Sequence, residues 1–377
     1  MAFVPFWFVL ITVLWIGFFV LEGFDLGVGM LHGVVGRDDG GRRAVINTIG
    51  PLWDGNEVWL IVGAASIFAA FPGWYATWLS GFYLAFVILL VALIIRGVSF
   101  EYRGKSTSAR WRQTWSRLLA TGSFLVPLVI GIALGDLLIG VPINAHQEFT
   151  GNFGDLFQPY AVMAGVTLVA ICVLHGATFI TLKTDGQVRE RAWRWARWSA
   201  PVTVLLALAF VSWTHAIAGK GAFLNVTELI AAIAVIAAAA LVFDQQQGWA
   251  FTATTVTIAA TITSIFVELY PRVMVSSTSS AFNLTVHNTA SPAYTLKVMT
   301  VVALVLLPIV LAYQAWTYYV FKQRITVHHF RPAAAPQLSP EAASLPEERA
   351  APSAGQDPGK PARRGWHLTR GRQRHRG

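Results

Sequence analysis

Residues 50–72 read GPLWDGNEVWLIVGAASIFAAFP, and this stretch decides the fold. From Val58 onward it is apolar enough for hydrocarbon, yet Asp54 and Glu57 stand at the entrance to the run. Similar apolar runs recur along the chain, each close to the ~20 residues that cross about 30 Å of hydrocarbon as a helix. Of the 377 residues, 55% are hydrophobic and 12% charged, about half the charge of a typical soluble domain. Only helices and closed barrels span a bilayer, and runs of this length describe an all-α polytopic membrane protein.

Nine transmembrane helices are predicted, at about 5–31, 49–71, 75–97, 118–140, 159–182, 200–218, 223–243, 250–270 and 294–321. The opening MAFVPFWFVLITVLWIGFFVLEGFD has no basic n-region and no small-residue cleavage site, so it reads as a retained span. Basic residues gather in alternate connections: Arg37, Arg42 and Arg43, then Arg96, Arg103, Lys105, Arg110, Arg112 and Arg117, then Lys183, Arg189, Arg191, Arg194 and Arg197. The opposite connections hold Lys220 and Arg272 with acidic Glu148 and Asp155. This positive-inside pattern predicts an external N-terminus and a cytoplasmic C-terminus. It also accounts for the net charge of +9 without nucleic acid as a partner. Trp74 and Trp78 are expected at the outer interface. WRQTWSR and RAWRWARW are expected to be interfacial helix segments on the inner side.

Residues 1–327 read as the transmembrane domain. VLEGFDLGVGML echoes VLHGATFITLKT, which permits parallel repeats over about 1–140 and 159–270, with the ninth helix at 294–321 outside them. Residues 328–377 are rich in Ala and Pro and end RRGWHLTRGRQRHRG; a disordered cytoplasmic basic tail is expected, able to touch anionic lipid. The lone Cys172 has no partner for an internal disulfide and reads as a small buried apolar residue.

Chemistry enters with the acids. Glu22 and Asp25 in span 1, and Asp54 and Glu57 in span 2, are each spaced i, i+3 and share one helix face. Asp25 lies roughly 9 Å from the inner end of its span, and Asp54 and Glu57 roughly 6–10 Å from theirs. Both pairs occupy one inner layer, so four carboxyls can converge. Such groups must face protein or water, and a carboxyl poised there can take and release protons. Structural readings stand beside this one. Asp54 suits a helix N-terminus, where a carboxylate is favourable, and Arg96 is placed to neutralise one acid. His175 is more often a hydrogen-bonded core group than a ligand. His32 and His215 are expected at the interface, and Asp136 and Glu268 at outer helix ends. Two further readings remain open on the residues alone: a proton-coupled membrane transporter, and a scaffold whose acids anchor subunit contacts.

EGFDLGVGML, WDGNEVWL, SGFYLAF, FEYRGK, GVPIN, TGNFGDL, GATFITLKT and TLKVMTVVALVLLPIVLAYQAWTYYVFKQRI occur in the order found in subunit II of cytochrome bd-type quinol oxidase, which the chain resembles over about residues 3–327. The resemblance implies two four-helix bundles plus a peripheral helix, in a bacterial cytoplasmic (inner) membrane. It implies a heterodimer with subunit I, which carries haem b and haem d and oxidises quinol to reduce oxygen to water. It allows a quinone on the lipid-facing surface of this chain and leaves room for a small accessory subunit. Asp54 matches the family acid of a cytoplasmic proton path, and Glu22 and Asp25 match the acidic positions of the first motif. Glu57 falls where the family also has Gln. Trp53 is expected at the subunit interface, with Asn56 and Arg96 in support.

Overall fold

The computed structural model describes residues 3–218 and 224–326; the tail expected at 328–377 and Lys220 lie outside them. Eleven helices are present among the described residues: α1 (Phe3–Val35), α2 (Asp39–Asn47), α3 (Trp53–Ala70), α4 (Pro72–Gly81), α5 (Tyr83–Tyr102), α6 (Ala109–Ile139), α7 (Pro159–Lys183), α8 (Gly186–Ala218), α9 (Val226–Phe243), α10 (Gln247–Leu269) and α11 (Ala293–Val320). Eight of them are long and apolar enough to cross a membrane. The helix that separates this count from the nine expected is α3. Its first two turns carry Asp54, Asn56 and Glu57, so its apolar part is confined to Val58–Ala70, about 20 Å of helix.

The organising element is α1. Its 33 residues extend about 50 Å, and almost every position from Glu22 to Val35 is buried. A helix buried all round belongs to a core, and α1 touches α3, α6, α7, α10 and α11. One group of helices comprises α1, α3, α5 and α6; the other is the closed ring α7, α8, α9 and α10. The seam between them runs along α1–α7 and α6–α7. At its centre Gly27 and Gly176 let two backbones meet: a Cβ on Gly27 would lie 2.0 Å from the Cys172 carbonyl oxygen, and one on Gly176 only 2.5 Å from Gly27. Small residues are the usual means of close helix approach where hydrophobic exclusion from water supplies no force.

The peripheral helix α11 has only Leu296 and Thr300 buried. Trp7 Nε1 donates to the Leu296 carbonyl at 3.2 Å and to Thr300 Oγ1 at 3.0 Å, fixing one end. Between α10 and α11, β1 (Arg272–Met274) and β2 (Leu284–Thr285) pair antiparallel. On the arginine-rich side, α2 is tied to the bundle by Arg103 Nη2 on Asp39 Oδ1 at 2.6 Å and by Arg42 Nη1 donating to Gln113 Oε1 at 2.8 Å.

Trp74 and Trp78 are 0% and 3% exposed rather than interfacial. The α4 helix turns them inward, where they stack on each other at 5.8 Å and Trp78 meets Trp15. WRQTWSR and RAWRWARW form early turns of α6 and α8, each longer than the hydrocarbon is thick. The span expected at 75–97 breaks at Phe82 into α4 and α5. His32 is also buried rather than interfacial, and Asp136 lies near the end of α6 with its side chain buried.

Candidate functional site

Four helices meet around one guanidinium. Arg96, on α5, is fully buried where Gly122 of α6 leaves room: a Cβ there would lie 2.6 Å from the Ala92 carbonyl oxygen and 3.0 Å from Arg96 Cβ. Arg96 Nη2 lies 2.6 Å from Glu22 Oε1, both side chains being 0% exposed. Its N–H is not aligned with that oxygen, so the pair attracts by charge rather than by a directed hydrogen bond. Arg96 Nη1 donates to Glu57 Oε2 at 3.1 Å, and the Glu57 side chain keeps 21% of its exposure. The guanidinium also sits 5.3 Å from the Phe100 ring, which stacks on Trp53 at 4.7 Å. Trp53 therefore braces Arg96 from behind a half-exposed surface.

Asn56 is the second centre. Its Nδ2 donates to Asp25 Oδ2 at 2.7 Å and to the Leu21 carbonyl at 3.1 Å. Its Oδ1 accepts from Gln314 Nε2 at 2.7 Å and from Tyr318 Oη at 3.0 Å. One buried amide thus joins the acidic face of α1 to the C-terminal half of α11. Glu22 Oε2 and Asp25 Oδ1 are buried on the same face of α1 without a hydrogen-bond partner.

The arrangement brings together three of the four acids read from the sequence. Glu22 and Glu57 share a single cation and Asp25 joins them through Asn56, whereas Asp54 stands apart on the exposed face of α3. It lies close enough to Glu57 for their charges to repel. In the first turn of α3 a carboxylate is also favoured by the helix dipole. A buried set of three carboxyls and one guanidinium cannot keep every charge, because an unpaired ion in low dielectric costs several kcal/mol. The exposed edge of the cluster lies at Glu57 and Asp54.

Gln314 and Tyr318 are site residues that the sequence reading missed. The signal available was a lone amide, Gln314, inside the apolar run of the last span. His175 takes the structural role: Nδ1 pairs with Thr254 Oγ1 at 2.7 Å, Nε2 faces the Val20 carbonyl at 3.2 Å, and the ring stacks on Phe251 at 4.5 Å. With both ring nitrogens engaged, His175 does not fit as an iron ligand. Nor, among the described residues, is any group of three or more His, Cys, Asp or Glu arranged to hold a metal ion.

Comparison with known proteins gives the frame for this cluster. The family described as Cytochrome bd terminal oxidase subunit II matches residues 4–321. The chain is 44% identical over 324 residues to cytochrome bd ubiquinol oxidase subunit 2 of Bacillus subtilis, covering 85% of this chain and 96% of that one. It is 39% identical over 357 residues to cytochrome bd-I ubiquinol oxidase subunit 2 of Escherichia coli K12, covering 85% and 94%. In fold it is similar to a chain of the bd oxidase from Geobacillus thermodenitrificans, with a TM-score of 0.69 at 17% identity, over 85% of this chain and 99% of that one.

Proposed function

The chain belongs to the cytochrome bd terminal oxidase subunit II family, a multi-pass membrane subunit of a bacterial respiratory oxidase, and on that premise we propose that it supplies protons to the oxygen chemistry of a haem-bearing subunit I. Family membership displaces the transporter reading. The haems, of b and d type, reside on the partner and supply the reduction of oxygen when bound there; the engaged ring of His175 supports that assignment. Quinol is oxidised by the complex, and a quinone or a small accessory subunit can rest against this chain's apolar surface. The arginine-rich connections face the cytoplasm, with the N-terminus outside.

This chain's part in the reaction is to hold and move protons. Asp54, on the exposed face of α3, takes protons arriving from the arginine-rich side and hands them across the subunit contact, which Trp53 helps to form. Glu57 links Asp54 to Arg96, and Arg96 links Glu57 to the Glu22–Asp25 pair. Asn56 holds Asp25 in register and, through Gln314 and Tyr318, closes α11 over the cluster. The observation that carries the reading is a buried acid, Glu22, set against one guanidinium that also pairs with the partly exposed Glu57, one turn from the exposed Asp54. A positioned acid–base group contributes about 10²–10⁴-fold to a proton-transfer step. Replacing Asp54 by Asn, or Glu22 by Gln, should lower quinol-driven oxygen uptake at least about tenfold while the reduced-minus-oxidised haem spectrum stays whole. Loss of haem together with activity would favour the scaffold reading, and normal uptake with full haem would exclude a proton role.

A further inference from the structure

Away from the acid cluster, α1, α7 and α8 enclose a groove of about 630 Å³. Val34, on its wall, lies nine residues beyond Asp25, about 14 Å along α1, so this is a separate site. Three arginines line it, Arg37, Arg191 and Arg194, and no lining residue is acidic. Arg191 is held in place by Gln187 Oε1 at 2.8 Å and by the Val35 carbonyl at 3.4 Å. Glu190 stands one turn before Arg194, yet the ion pairs of the described residues involve other arginines. Three guanidinium groups thus face one concavity without a counter-ion.

The rest of the lining is suited to a bilayer. Trp195 and Trp198 are 40% and 79% exposed at the groove, and amphipathic indole rings settle at headgroup depth. From Arg191 the groove continues to Val202, about 16 Å further along α8, the direction in which an acyl chain would run from its headgroup. A guanidinium fork matches phosphate oxygens two at a time, and basic pockets between membrane helices bind anionic lipid headgroups. The chain's own tail carries more basic than acidic residues after position 327, so it has the wrong sign to fill the groove, as does a second copy of the same arginine face. The central helix α1 stands between α8 and the α3–α11 side, where the exposed acid Asp54 lies.

We infer that this groove binds the headgroup of an anionic membrane phospholipid, with Arg37, Arg191 and Arg194 on its phosphate and an acyl chain lying along α8. Each arginine near an anionic headgroup contributes about fivefold in affinity. The test uses the purified oxidase complex, stripped of lipid and offered phosphatidylglycerol or phosphatidylcholine, with retained lipid counted by native mass spectrometry. Wild type should keep phosphatidylglycerol in preference to phosphatidylcholine. Arg191→Gln with Arg194→Gln should lower that retention about 25-fold, and Arg37→Gln, on an exposed loop, about fivefold, with haem content unchanged in both. Equal retention of phosphatidylglycerol by wild type and variants would overturn the inference. So would its displacement by millimolar inorganic phosphate, which would mark a free-anion site, or a photo-cross-link from position 198 to a polypeptide of the complex.

Discussion

Replacing Arg96 by Gln tests whether one cation holds the acidic cluster together. The guanidinium lies 2.6 Å from Glu22 and 3.1 Å from Glu57, with itself and Glu22 fully buried. At an effective dielectric near 20, a unit-charge pair at such distances gains about 5–6 kcal/mol by Coulomb's law, before desolvation is subtracted. Removing one partner of a buried pair costs about 3–5 kcal/mol, because the other is left uncompensated. Thermal denaturation of the purified complex is the assay; at ~2 °C per kcal/mol the midpoint should fall by about 6–10 °C. The informative control is the double variant Arg96→Gln with Glu22→Gln, which removes cation and anion together. It should recover most of the loss, giving a coupling energy of about 2–3 kcal/mol in the double-mutant cycle. A single variant as stable as wild type, or a double variant no better than the single, would refute the claim that charge balance governs the cluster.

Other consequences can be measured in the same complex. Asn56→Leu removes four hydrogen bonds and leaves the amide of Gln314 without its acceptor; it should cost about 2–4 kcal/mol and raise the labelling rate of a cysteine placed at position 317, and unchanged labelling would show that Asn56 does not tether α11. Gly27→Val places side-chain atoms on the α7 backbone; it should abolish accumulation of the haem-containing complex, and normal yield would contradict the close crossing of α1 and α7. His175→Gln should keep every haem signal in the difference spectrum, because the ring is committed to Thr254 and Val20; loss of one signal would make it a ligand.

Much of this architecture was legible in the sequence for a plain reason. A bilayer forces each crossing into a run of about 20 apolar residues, and α1, α6, α7 and α11 start or stop within a turn or two of the runs that predict them. The i, i+3 spacing of Glu22 and Asp25 placed both on one face, and Arg96 was read as a neutraliser. What the pattern could not carry was partnership between distant positions. Asn56 meets Gln314 and Tyr318 across 258 and 262 residues of sequence, and no local period reports such a contact. Trp74 and Trp78 misled because indole rings serve equally at an interface and in an aromatic core; only the turn of α4 decides. Asp54 misled in the opposite sense. A helix face points either inward or outward, and α3 turns Asp54 outward and Asn56 inward.

Proton movement through this chain can be followed directly. With the fully reduced complex in weakly buffered solution, a pulse of oxygen and a pH-indicating dye report proton uptake during a single turnover. Asp54→Asn should slow that uptake at least about tenfold while the haem spectrum and the rate of oxygen binding stay as in wild type. Proton uptake at the wild-type rate in that variant would contradict the claim that the acids of α1 and α3 carry protons to the neighbouring subunit.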